Sequence, residues 1–281
     1  MAGLKGWNLA GHWRSNGPAA EAGRTILNEC WHRAIARCAL LLYCLLLAMQ
    51  ALALPDYDLL DDLLINYVDN GFVDYDGLAI DGRLPRLLQQ FAETREAELG
   101  SDNERKALLI NAYNLFALHG VLEGQSPQSF LGRRRFFRGM RLPLLGEARS
   151  LDDIEHRELR PMGDPRIHFA IVCASLSCPR LASQAYRPER LDQQLDAAAT
   201  RFVNDPARNR FDLEQGIAFL SPIFDWFAED FGGDEASLQA FLARYVRDAD
   251  VARELRNGRF QIRYEDYDWR LNGIFRRSAG R

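Results

Sequence analysis

The residues best suited to bond-making chemistry cluster between His156 and Cys178, and Cys173 stands at their centre. The stretch runs Ile167-His168-Phe169-Ala170-Ile171-Val172-Cys173-Ala174-Ser175-Leu176-Ser177-Cys178-Pro179. A free cysteine with a pKa near 8.5 is only about 3% thiolate at pH 7, so a nucleophilic thiol needs help. An imidazolium or a helix N-terminus supplies it by stabilising the anion. His156 and His168 are the nearest imidazoles in the chain. Asn111 and Asn114 are carboxamides that could orient an imidazole or serve an oxyanion, the division of labour in Cys-His-Asn sites. This set predicts acyl transfer or amide hydrolysis at Cys173.

The elements that must hold these groups follow from the pattern around them. Ile167 to Val172 is a short apolar run bounded by Gly163-Asp164-Pro165, which predicts a strand. Ala174-Ser175 then reads as a turn and Cys178-Pro179 as the opening of a helix. Within one strand, His168 and Cys173 would face opposite ways because their spacing is odd. His156 comes from a separate element, started by Ser150 as N-cap, and is the first choice of partner. Glu155 and Glu158 flank it and would raise its pKa.

Glu104 to Leu122 predicts the most buried helix, apolar on nearly every face from Ala107 onward. Asn111 and Asn114, at i and i+3, share one of its faces and must meet a polar network there. They either tie down loop carbonyls or line a site. Amphipathic helices are expected over Asp56–Tyr67, Leu84–Leu99, Pro188–Asn204 and Leu238–Val246, and strands over Ile217–Leu220 and Gln261–Tyr264. The arginine-rich Gly132–Arg141 segment reads as a solvated loop leading into a hairpin, with phosphate binding as the alternative. The fold class is α+β: one mostly helical domain with a small antiparallel or mixed sheet.

The N-terminus is expected to be a signal peptide. Cys38 to Leu54 is apolar with Gln50 as its one strongly polar residue, Arg33 and Arg37 precede it, and Ala51-Leu52-Ala53 is a small-x-small cleavage pattern. That gives residues 1–53 as leader, with a long n-region, and residues 55–281 as the domain. The expected location is periplasmic or secreted. An uncleaved anchor over residues 38–54 is the alternative, and would be the sole membrane contact. Cleavage removes five of 35 basic and two of 39 acidic residues, taking the net charge from −4 to −7. An acidic chain without a basic face argues against a nucleic-acid partner.

Cleavage also leaves Cys173 and Cys178 as the remaining cysteines. In an oxidising compartment they invite a disulfide. Closing so short a loop stabilises by about 2 kcal/mol, a weak reason to keep the pair. The C-x4-C spacing is not that of C-x-x-C redox motifs, and a metal site built on the pair lacks a fourth ligand. No cofactor is expected. A third possibility is a non-catalytic envelope binding protein, with Tyr113, Ser175, Trp226 and Trp269 shaping a groove. The partner in every case is an unidentified envelope substrate or ligand.

The chain resembles the family called domain of unknown function 547. The resemblance is carried by Val73-Asp74-Tyr75, Asn111-Ala112-Tyr113-Asn114, Ser150-Leu151-Asp152-Asp153-Ile154-Glu155-His156, His168-Phe169-Ala170 with Cys173 and Ser177-Cys178-Pro179, and Tyr267-Asp268-Trp269-Arg270-Leu271-Asn272. These motifs span nearly all of residues 55–281 in order. The resemblance implies an exported bacterial protein. Plant relatives keep a cysteine matching Cys173 and none matching Cys178, which implies that Cys173 is the special thiol. It implies no reaction.

Overall fold

The computed structural model describes residues 54–274. The expected signal peptide lies outside the described residues. Asp56 caps the first helix, α1 (Tyr57–Tyr67), by accepting from the Leu59 amide. A two-residue hairpin, β1 (Val68–Asp69) and β2 (Phe72–Val73), turns through Asn70 and Gly71, both at positive φ. Two helices follow, α2 (Tyr75–Ala79) and α3 (Arg83–Glu93). The long helix α4 (Asp102–Leu122), capped by Ser101, is buried on nearly all sides from Ala107 to Leu118. It is the axis of the larger apolar core, into which α1, α3 and the later loops pack.

The arginine segment forms α5 (Phe130–Arg134) and one π turn (Arg135–Gly139), then enters an antiparallel hairpin of β3 (Leu142–Leu144) and β4 (Glu147–Arg149). Ser150 caps α6 (Leu151–Asp153) in a reciprocal box with Asp153. That helix widens into a π turn, Ile154–Leu159, and a 3₁₀ turn, Arg160–Met162.

A second core gathers in the C-terminal half. It is built from α7 (Leu191–Val203), a strand pair β5 (Arg210–Asp212) and β6 (Ile217–Leu220), α8 (Ile223–Trp226), α9 (Glu235–Tyr245), α10 (Ala249–Arg256) and β7 (Gln261–Tyr264). β6 pairs antiparallel with β5 and parallel with β7, so the largest sheet is three-stranded and mixed. The architecture is α+β and mostly helical, as the sequence periodicity implies.

Two expected elements are absent. Residues 167–172 do not form a strand: Pro165–Phe169 is a 3₁₀ turn and the chain from Val172 is irregular. Nor does a helix start at Pro179. The run is apolar because it threads between two cores, with Ile167 and Ala170 facing one and Phe169 the other. Burial on both sides gives the same composition as a buried strand.

Candidate active site

With no strand or helix to hold it, the segment around Cys173 is fixed by side chains from elsewhere. Asn114 donates from Nδ2 to the Ala170 carbonyl (3.0 Å) and accepts at Oδ1 from the Val172 amide (3.0 Å). Asn111 does the same one turn earlier, donating to the Tyr186 carbonyl (2.7 Å) and accepting from the Tyr186 amide (2.9 Å). Each carboxamide thus stands in for a missing strand partner. Both hydrogen-bond backbone through oxygen and nitrogen alike, and neither lines the large cavity beside Cys173. In this structure both side chains tie down loop backbone.

Downstream, Arg208 donates to the carbonyls of Leu176 and Cys178. The C-terminal strap crosses the turn: the Leu176 amide donates to the Arg270 carbonyl, the Asn272 amide to the Ala174 carbonyl, and Ser175 bridges Leu271. Asn272 accepts from Tyr75 OH (2.9 Å) and donates to the Gly71 carbonyl, which ties the strap to the β1–β2 hairpin. Ala174 sits at φ 57°, a left-handed position that L residues other than glycine, asparagine and aspartate rarely adopt. This turn brings the Cys173 and Ser175 side chains to the same side.

Cys173 Sγ lies 3.0 Å from Ser175 Oγ and 3.1 Å from Tyr267 OH. Cys178 Sγ accepts from the Cys173 amide, and both cysteines are buried free thiols. Burial pushes the Cys173 thiol up, but hydrogen bonds from Cys178, Ser175 and Tyr267 outweigh it and lower the thiol toward neutrality. Burial and the neighbouring Cys173 charge push Cys178 and Tyr267 well up, so these two keep their protons and act as donors. The anion is stabilised by three side-chain donors rather than by a helix end.

The sulfur faces a cavity of about 530 Å³. Its buried lining includes Tyr113, Glu155, His168, Ile171, Cys178 and Pro179. Its more open side carries Phe130, Arg133, Arg134, Phe137, Arg138, Asp152, His156, Trp226, Phe227, Tyr267 and Trp269. Trp226 and Trp269 stack at 5.7 Å. Among the described residues no cluster of histidine, cysteine and carboxylate side chains is placed to hold a metal ion.

Two acidic side chains bear on the site: Glu155, expected only to flank His156, and Asp230, which no sequence feature singled out. Glu155, on the π turn, is buried and accepts at Oε2 from Tyr113 OH (3.1 Å). Burial raises its pKa to about 7, helped by the Cys173 charge and opposed by the Tyr113 bond and Arg160. Asp230 forks with Arg160 (2.7 and 2.9 Å) and lies 2.7 Å from His168 Nε2. The bond to Asp230 fixes the Nε2–H tautomer of the neutral ring. His168 Nδ1 is then a bare acceptor, buried, without a hydrogen-bond partner, and 3.7 Å from Glu155 Oε1. Burial lowers His168 to about 4, against the pull of Asp230. Its ring stacks on Phe227 at 3.9 Å.

The two histidines differ in where they sit. His156 is exposed at the cavity rim, where its Nδ1 meets Arg160 (3.0 Å) and its Nε2 lies 3.8 Å from Asp152. Its pKa is lowered, first by partial burial and then by Arg160 and Arg138, not raised by the flanking glutamates. Glu158 points away into a pair of arginines, Arg105 and Arg149. His168 is the interior imidazole. Among the described residues neither ring hydrogen-bonds Cys173 Sγ; Glu155 is a carboxyl that feels the sulfur's charge, as Cys178, Tyr267 and Tyr113 also do. Asp230 was missed because nothing in Glu229-Asp230-Phe231 marks it locally. Glu155 carried one signal, a carboxylate at a position the helix pattern buries.

A buried thiol with polar donors, opening on an aromatic-walled cavity in an α+β domain, is the arrangement that thiol-dependent enzymes and small-molecule binding proteins share. The profile of a family described as Protein of unknown function, DUF547, matches residues 97–203, which include α4, the π turn with Glu155 and His156, and the Cys173 segment. No curated protein and no solved structure matches the chain significantly. Among the described residues no helix is long and apolar enough to cross a membrane.

Proposed function

We propose that this chain is an exported thiol hydrolase or acyltransferase with Cys173 as nucleophile, and that the family resemblance extends across residues 55–281. The observation that carries it is the set of donors within hydrogen-bond reach of Cys173 Sγ, facing a cavity that also holds Glu155 with its pKa near 7. A thiol lowered and a carboxyl raised toward the same pH exchange a proton with little driving force lost. The thiolate attacks an ester or amide carbonyl, the carbon–sulfur bond forms and the carbonyl electron pair moves to oxygen. Collapse expels the alkoxide or amine, which takes the proton held by Glu155. Water, or a second acceptor, then releases the acyl group from sulfur and returns a proton to Glu155. His168, oriented by Asp230, is the acceptor behind Glu155. This reading assigns no catalytic step to His156, Asn111 or Asn114.

The test is acylation by p-nitrophenyl acetate followed by intact and peptide mass spectrometry. A burst of nitrophenol with an acetyl adduct on the Cys173 peptide is expected, and Glu155→Gln should slow it. Labelling spread evenly over Cys173 and Cys178 at the rate of a model thiol would overturn the reading. In that event the aromatic wall of the cavity favours a non-catalytic binding protein, and a Cys173–Cys178 bridge formed on oxidation would mark a redox role. Export is tested separately: the mature N-terminus should lie near Leu54 by mass spectrometry, and an intact residue 1–53 segment on soluble cytoplasmic protein would refute it.

A further inference from the structure

The cavity rim carries a feature that thiol chemistry alone does not use. Arg133 is half-buried and lies 4.6 Å above the Trp269 ring, yet has no carboxylate partner among the described residues. Its contacts are long ones to the carbonyls of Pro127 (3.3 Å) and Gln128 (3.5 Å). Arg134, next to it and exposed, forms no ion pair among the described residues either. Arg138, by contrast, is neutralised by Asp152 at 2.9 Å. On the same short helix Phe130 is 74% exposed and Leu131 65%. A guanidinium over an indole, with one nitrogen on loop carbonyls and no carboxylate partner, keeps donors for an oxyanion. Two guanidiniums without carboxylate partners repel a cationic head group, and the apolar walls below them accept an apolar body, so the site favours an anion with an apolar body.

We propose that the cavity binds an apolar acyl compound bearing a terminal oxyanion, carboxylate or phosphate, with the oxyanion on Arg133 and Arg134 and the apolar body along Trp226 and Trp269. This rests on the acyl-transfer reading for the statement that the bound compound is the acyl donor to Cys173. Binding itself is independent of that chemistry.

Trp226 and Trp269, two of the chain's five tryptophans, line the cavity, so the ligand-dependent change in indole fluorescence, absent from a Trp226→Phe, Trp269→Phe variant, reports occupancy. The experiment titrates the full chain as Cys173→Ala with decanoate, decyl phosphate and decyltrimethylammonium below their micelle concentrations. The two anions should change the fluorescence saturably and the cation should bind at least tenfold more weakly. The relative strength of decanoate and decyl phosphate distinguishes a carboxylate from a phosphate ligand. Arg133→Gln with Arg134→Gln should weaken anion binding about tenfold, while Arg247→Gln, an exposed arginine elsewhere, should leave it unchanged. On the wild-type protein decanoate should protect Cys173 from iodoacetamide. Equal binding of anion and cation, or an unaltered affinity in the double variant with intact circular dichroism, would overturn the proposal. Saturable anion binding without any acylation of Cys173 by p-nitrophenyl acetate would uphold the site and remove the acyl-transfer role.

Discussion

Replacing Asn114 by leucine is the sharpest test of how the Cys173 segment is held. The side chains are similar in size, so packing along α4 changes little. What is lost is both hydrogen bonds to the loop, leaving the Ala170 carbonyl and the Val172 amide buried without partners. Each stranded backbone group costs about 1–3 kcal/mol, so the pair predicts a loss of roughly 2–6 kcal/mol. At the middle of that range the melting temperature of a domain this size falls by roughly 8–16 °C. Urea unfolding followed by circular dichroism measures the free energy, and differential scanning calorimetry the midpoint. Asn111→Leu strands the Tyr186 carbonyl and amide and should cost a similar amount. The two variants should part in reactivity. Asn114 clamps the residues leading into Cys173, so its loss should slow iodoacetamide labelling of Cys173 several-fold in the folded protein. Asn111 clamps a segment remote from the sulfur and its loss should not. A cost below about 1 kcal/mol for Asn114→Leu, or identical labelling in both variants, would refute the clamp argument.

Glu155→Gln should change the pH dependence of stability. The folded protein raises this carboxyl from 4.5 to about 7, so its stabilising contribution is complete below pH 4.5 and is lost as pH rises toward 7, a span worth about 3 kcal/mol. The variant should therefore be more stable than wild type at pH 8 and equal to it near pH 4.5; a constant difference across that range would contradict the assignment. His168 runs the other way: lowered to about 4, it contributes stability above pH 6.5 that is lost as pH falls through 4, so the variant should also expose a loss of stability on acidification that Glu155 partly masks in wild type. Tyr267→Phe removes one donor to the thiolate and should move the midpoint of Cys173 alkylation up by about one unit, slowing labelling near pH 7; an unchanged pH–rate profile would exclude Tyr267 as a donor. Asp230→Ala strands Arg160 and His168 together and should destabilise the fold by about 2 kcal/mol in urea unfolding, against an expectation near zero if the fork were a solvated surface pair.

The elements whose periodicity is local were legible in the sequence. The helix through Asn111 and Asn114, the capped start at Ser150, the strand at Ile217–Leu220 and the hairpin after the arginine segment all form within a residue or two of where the pattern puts them. That Asn111 and Asn114 must find buried partners also followed from one helix face and the cost of a bare carboxamide. Cys173 could be singled out because a thiol beside a turn is uncommon in composition and chemically distinct.

What the sequence could not determine was anything decided by two cores meeting. Ile167–Val172 is apolar because it lies between them, and an apolar run buried on both sides has the composition of a strand whether or not it pairs. The environments of the two histidines were out of reach for the same reason. Flanking glutamates are neighbours in the chain, whereas burial and the Asp230–Arg160 fork are neighbours in space, and the latter decide a pKa. Tyr267 reaches the sulfur from 94 residues away and Asp230 reaches His168 from 62. No local spacing encodes either contact; only the packing of the second core and the closing strap against the first brings them together.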